Sequence, residues 1–153
     1  KPRLILIGSA HITSELLVLA SMHDFETIVI DPRDTFAKKT SRQQEPNQLI
    51  VKWPQEVLGE MDLDQNTFAV ILSHDPKIDD EALKIILPSE MKYVGALGSK
   101  KTHAKRVERL KTYGFSEDEI ARIDAPIGID IGSQTPKEIA ISVMGALIKA
   151  KNA

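Results

Sequence analysis

The chain contains no cysteine among its 153 residues, which excludes disulfides, thiolate metal sites and a cysteine nucleophile within it and suits a reducing compartment. It also lacks an excess of either charge. Twenty Lys and Arg against 22 Asp and Glu give a net charge of -2 and a pI near 6.1. No global attraction to nucleic acid or to an anionic membrane follows, so phosphate binding would have to come from locally placed basic residues. No apolar run approaches the roughly 20 residues of a membrane span. The start Lys1-Pro2-Arg3 leads into a strand-like segment rather than a signal peptide, and a cytoplasmic location is the default expectation. The missing initiator Met and abrupt entry into a core strand point to a fragment or processed chain. Catalytic signatures are scarce too. There is no G-x-S-x-G elbow and no H-x-H or H-E-x-x-H spacing, so no catalytic residue and no metal ligand is assigned.

What is present is an ordinary globular composition, 42% hydrophobic and 27% charged, sufficient for one domain over 1–153 with a full core. Leu4 to Ile7 is apolar without alternation, as expected of a strand buried on both faces of a parallel sheet. A helical pattern from Ile12 to Met22 and a β-branched run from Thr27 to Ile30 complete a β-α-β unit. The spacing predicts further strands over Gln48 to Trp53, over Thr67 to Leu72 and around Tyr93 and Val94, with a sixth short one inside the glycine-punctuated loop Asp124 to Gly132. Helices are predicted over Pro54 to Gly59, Asp79 to Leu87, Thr102 to Tyr113 (closed by Gly114) and Pro136 to Ala150. Ser116 with Glu119 and Thr135 with Glu138 read as capping boxes. The fold expected is α/β and Rossmann-like: a doubly wound, mostly parallel sheet of five to six strands with helices on both faces.

In such a sheet ligands bind at the carboxyl ends of the strands, and three junctions there carry a histidine: Gly8-Ser9-Ala10-His11, Ser73-His74-Asp75-Pro76, and Gly95 through Gly98, Ser99, Lys100, Lys101 to His103. Three of the four histidines are therefore expected to face one crevice. The first turn occupies the place of a dinucleotide G-x-G-x-x-G but reads Gly8, Ala10 and Thr13, and a Cβ at Ala10 crowds the approach of a diphosphate. Asp31, 23 residues after Gly8, stands where an acid would hold ribose hydroxyls, with Arg33 nearby to accept a 2′-phosphate. Gly95 and Gly98 do not fit the P-loop spacing, but backbone N–H groups there, with Lys100, would cradle a phosphate without it. The bland alternatives are a scaffold with no dinucleotide, capping or core histidines, and a solvated basic helix. The last explains Lys105, Arg106, Arg109 and Lys111 well, and the two glycines poorly.

Taken in order, ILIGSAHI, VIDPR, ILSHDPKIDDEAL, YVGALGSKKTHAKRVERL and GFSEDEIARIDAPIGIDIGSQTPKEIAISV resemble the C-terminal Rossmann domain of the xanthine dehydrogenase accessory factor family (XdhC/CoxI). The resemblance implies a chaperone that binds molybdenum cofactor (molybdopterin), protects it during sulfuration and inserts it into an apo molybdenum hydroxylase of the xanthine dehydrogenase type. It implies as partners that hydroxylase, a sulfur-donating desulfurase and a second copy in a homodimer. On this reading His11 and Lys100 contact phosphate, and His74, Asp75 and His103 lie nearer the polar ring or a partner. Ala10 replaces the second glycine of the family's usual G-A-G-H turn, and residues 1–153 do not include the usual N-terminal domain with its cysteine, so the expectation is either a single-domain paralogue with a partner or one part of a longer chain. An NAD(P)- or nucleotide-dependent oxidoreductase and a non-catalytic dimerisation or docking domain remain the alternatives.

Overall fold

The computed structural model describes residues 1–38 and 42–153. Six strands, β1 (Arg3–Ile7), β2 (Glu26–Ile30), β3 (Gln48–Ile50), β4 (Thr67–Ile71), β5 (Tyr93–Ala96) and β6 (Ile123–Asp124), form one sheet in the order β3-β2-β1-β4-β5-β6. Every pairing is parallel. The chain moves outward from β1 in one direction and then crosses to β4 to continue in the other, which is the Rossmann order. The helices are α1 (Thr13–Met22), α2 (Thr35–Lys38), α3 (Pro54–Val57), α4 (Pro76–Ile86), α5 (Lys100–Thr112), α6 (Glu117–Ala121) and α7 (Pro136–Lys151), and a 3-10 turn (Leu58–Glu60) follows α3.

The unalternated apolar strands divide their side chains between two cores because successive residues point to opposite faces. Leu4, Leu6, Val29, Phe68 and Val70 pack with Leu16, Leu17 and Ala20 of α1 and Val143 and Leu147 of α7. Ile5, Ile7, Ile28, Ile30 and Ile71 pack on the other face with Ile78, Leu83 and Ile86 of α4 and Leu110 of α5. Both capping boxes form, Ser116 with Glu119 and Thr135 with Glu138.

Several boundaries differ from those the sequence predicts, four of them with a clear local cause. β3 stops at Ile50 because β2, its sole neighbour, has ended; Asp31 N–H bonds the Ile50 carbonyl, and Val51 and Trp53 are exposed. α4 starts at Pro76 rather than Asp79, since Asp75 caps it by accepting from Lys77 N at 3.0 Å and proline suits a first helical turn. α5 starts two residues early for a like reason, Ser99 accepting from Thr102 N at 3.1 Å. The sixth strand, Ile123–Asp124, begins before the glycine-punctuated loop expected to hold it, where it pairs with Val94 and Gly95.

Candidate functional site

The carboxyl ends of β1, β4 and β5 and the start of α7 enclose an open cleft of about 610 Å³. Ala10, Ile12, Phe36, Leu97, Pro136 and Ile139 supply its apolar walls, and Ser9, His11, Thr35, His74 and Gln134 its polar groups. The cleft lies where the chain crosses from β1 to β4, the switch point at which α/β sheets take ligands.

At the first turn, Gly8 has φ +80, and a Cβ there would lie 2.3 Å from Ser73 Cβ. The bare glycine thus lets the β1 and β4 ends close on each other, and Ser73 fills the space. Ala10 N–H donates to Thr13 Oγ1 at 2.9 Å, and His11 is exposed on the cleft. Asp31 is 1% exposed and fully engaged by the protein. Arg33 Nε and Nη2 each reach it at 3.0 Å, Arg33 N donates at 2.9 Å, and Ser9 Oγ donates at 3.0 Å. The carboxylate expected to hold a ribose is clamped by Arg33 instead.

The turn after β4 is built around Asp79, which is buried on α4. Its carboxylate accepts from Ser73 Oγ at 2.5 Å and from His74 N at 2.9 Å, which holds His74 at φ +63. A side chain other than glycine seldom adopts that region, and such positions gather at functional sites. The hold aims His74 into the cleft and against Gly98, where a Cβ would lie 3.8 Å from His74 Cε1. Burial pushes the Asp79 carboxyl up to about 6, against the pull of Ser73 Oγ and of Arg106. Asp75 serves as the α4 cap.

Gly95 is a packing position: a Cβ would lie 2.4 Å from Ile127 Cδ1. Gly98 takes φ +132 where the chain turns into α5, Ser99 is the cap, and Lys100 is exposed. His103 does not share the cleft of His11 and His74. It stands over a separate depression with Val107, Lys111, Glu117 and Ile120, because its place on α5 turns it toward α6 and β6. The expected single crevice of three histidines is therefore two neighbouring sites.

Between them lies a member of the basic run on α5 that its neighbours in sequence do not set apart. Arg106 is 2% exposed, with Nη1 3.3 Å from His103 Nδ1 and Nε buried without a hydrogen-bond partner. Partial burial first, and then the Arg106 charge, hold both His74 and His103 below the ordinary histidine range, although His74 keeps an exposed edge. The available signal was spacing. His103, Arg106, Val107 and Leu110 form an i, i+3, i+4, i+7 stripe, so a charge occupies the inward face of an amphipathic helix. Among the described residues no group of three or more His, Asp or Glu is placed to hold a metal ion.

Comparison with known proteins accords with this architecture. The chain is 31% identical to a xanthine dehydrogenase from Bacillus halodurans whose crystal structure superposes with a TM-score of 0.83, over 99% of this chain and 43% of that one. It is 30% identical to a Bacillus subtilis protein named as a probable subunit of xanthine dehydrogenase, across 99% of this chain and 43% of the relative. A molybdenum cofactor insertion chaperone of Escherichia coli, PaoD, is 30% identical over 89 residues, 58% of this chain and 28% of the relative. The chain thus spans less than half the length of these relatives. A profile described as the XdhC Rossmann domain matches residues 4–147, nearly the whole chain, and the protein belongs to that family.

Proposed function

We propose that this domain binds the pterin of the molybdenum cofactor in the cleft at the β1 and β4 ends, and that it serves in supplying the cofactor to a xanthine dehydrogenase-type hydroxylase. The observation that carries the reading is the cleft itself. Its 610 Å³ falls within the range of small-molecule sites, about 300–1,000 Å³, with mostly apolar walls and few polar groups. Phe36, Leu97 and Ile139 fit the faces of a flat heterocycle, and Ser9, His11, His74 and Gln134 can meet its polar edge. Bound there, the cofactor would bring oxo-transfer chemistry that belongs to the target enzyme; this chain's residues bind, orient and shield it. The names of two relatives, a probable component of xanthine dehydrogenase and a molybdenum cofactor insertion chaperone, support the same assignment. A desulfurase and a second copy of the chain are the further partners the reading implies. Asp31 weighs against the dinucleotide alternative, since a ribose would have to displace Arg33 and Ser9 from it.

The test is release of pterin from purified protein, read by fluorescence of its oxidised product, together with calorimetry against NAD(H), NADP(H) and CTP. Retained or reconstituted pterin supports the reading. Neither retention nor uptake, or tight dinucleotide binding with a substrate-dependent change at the nicotinamide absorbance, would overturn it.

A further inference from the structure

Arg106 is the strongest anomaly in the molecule. Among the described residues its Nε is the sole fully buried side-chain nitrogen or oxygen without a hydrogen-bond partner. A guanidinium offers five donors, and the contact this one makes is to a histidine nitrogen, not to an acid. Neither nearby carboxylate closes an ion pair with it. Asp80 is taken by Arg109, with Nε at 2.6 Å and Nη2 at 3.1 Å, and also by Tyr113 Oη at 3.3 Å. Asp79 is turned to Ser73 and His74. Asp79 and Asp80 act on Arg106 through charge alone, whereas a buried charge is normally hydrogen-bonded as well as paired, so this guanidinium keeps donors open to an anion.

The surroundings suit an oxyanion. Side chains on a helix lean toward its N-terminus, and Arg106 accordingly meets His103, one turn earlier on α5. The opening amides of α5 carry the positive end of its dipole, and those of Lys100 and Lys101 have no hydrogen-bond partner among the described residues. Gly98, at φ +132, leaves the approach free of a Cβ. Since His103 Nδ1 faces the Arg106 donor, its proton resides on Nε2, which gives a further donor. His74 stands between this cluster and the cleft, lining the one and touching Gly98 in the other.

We propose that Arg106, with His103, His74 and the N-terminus of α5, binds the phosphate of a phosphomonoester whose heterocyclic remainder occupies the adjoining cleft. The proposal rests on the pterin reading for the identity of that remainder, and it moves the phosphate contact from His11 and Lys100 to Arg106. Because Arg106 is almost fully covered, entry of the anion requires the His103 ring to rotate off Nη1. His103 is therefore the reporter.

The experiment is a proton–nitrogen NMR titration of the intact chain with inorganic phosphate at constant ionic strength, and separately with a pterin lacking phosphate. Phosphate is expected to give saturable shifts at the His103 and His74 rings and at the amides from Ser99 to His103. Arg106→Met should weaken the response at least tenfold; Arg106→Lys, which keeps charge without the fork, supplies the comparison should the Met variant not fold. An absent or non-saturable response, one centred on His11, one at Lys100 and Lys101 that added salt removes, or one unchanged by substitution would each overturn the proposal. Phosphate shifts without pterin shifts uphold the anion site and count against the pterin reading. Pterin shifts at Ala10, His11 and Ile139 without phosphate shifts do the reverse.

Discussion

Asp79 shows how one buried carboxyl can set the shape of a turn. It holds Ser73 Oγ and His74 N–H together, and burial raises it to about 6. A carboxyl raised in the folded state takes up its proton before the unfolded chain does, so its contribution to stability grows as pH falls through 6 toward the ordinary range. His74 and His103 act with the opposite sign. Held below the ordinary value, they contribute fully above about 6.5 and lose that contribution as pH falls. The terms oppose each other, and urea unfolding should show wild-type stability changing less between about pH 7 and pH 5 than the Asp79 term alone would give. Asp79→Asn removes the rising term, so its stability should fall by about 1–2 kcal/mol more than wild type over that interval; parallel pH profiles would refute this account. Gly8 offers a second test at this scale. Alanine there meets Ser73 Cβ and a strained φ of +80, and Gly8→Ala should cost about 2–4 kcal/mol in the same assay.

At the scale of elements, the two ends of the cleft are set by helix starts. Thr135 Oγ1 accepts from Glu138 N at 3.2 Å, and Glu138 Oε1 accepts from Gln134 N at 2.9 Å and Thr135 N at 3.2 Å. That reciprocal cap fixes the beginning of α7, where Gln134 just before the helix and Pro136 and Ile139 within it face the cleft. Glu138→Ala should therefore cost about 1 kcal/mol and raise amide hydrogen exchange in the first turn of α7, leaving α4 unaffected. The motif was legible because its residues are close in sequence. The start of α4 was not, since Pro76 reads equally as a turn and as a first helical residue until Asp75 is seen to cap it.

For the molecule as a whole, the cleft is a by-product of strand order. Crossing from β1 to β4 separates the α1–α7 layer from the layer of α4 and α5, and the strand ends between them stay open to a ligand. Ala10→Phe should fill that space, abolishing pterin retention while leaving the thermal midpoint within a few degrees of wild type. A concurrent collapse of the midpoint would mean that Ala10 is a core residue and the cleft no site.

Buried β-branched runs, helical spacings and capping boxes determined the layered α/β fold from the sequence alone, because each rests on chemistry within a few residues along the chain. The same was true of the strand-end histidines as junction residues. Which histidines share a cleft, the closure of Gly8 on Ser73, the clamp of Arg33 on Asp31 and the isolation of Arg106 inside a basic helix were decided only by tertiary structure. Those outcomes depend on where side chains of separate elements meet and on which charges lose their water, and periodicity carries neither quantity.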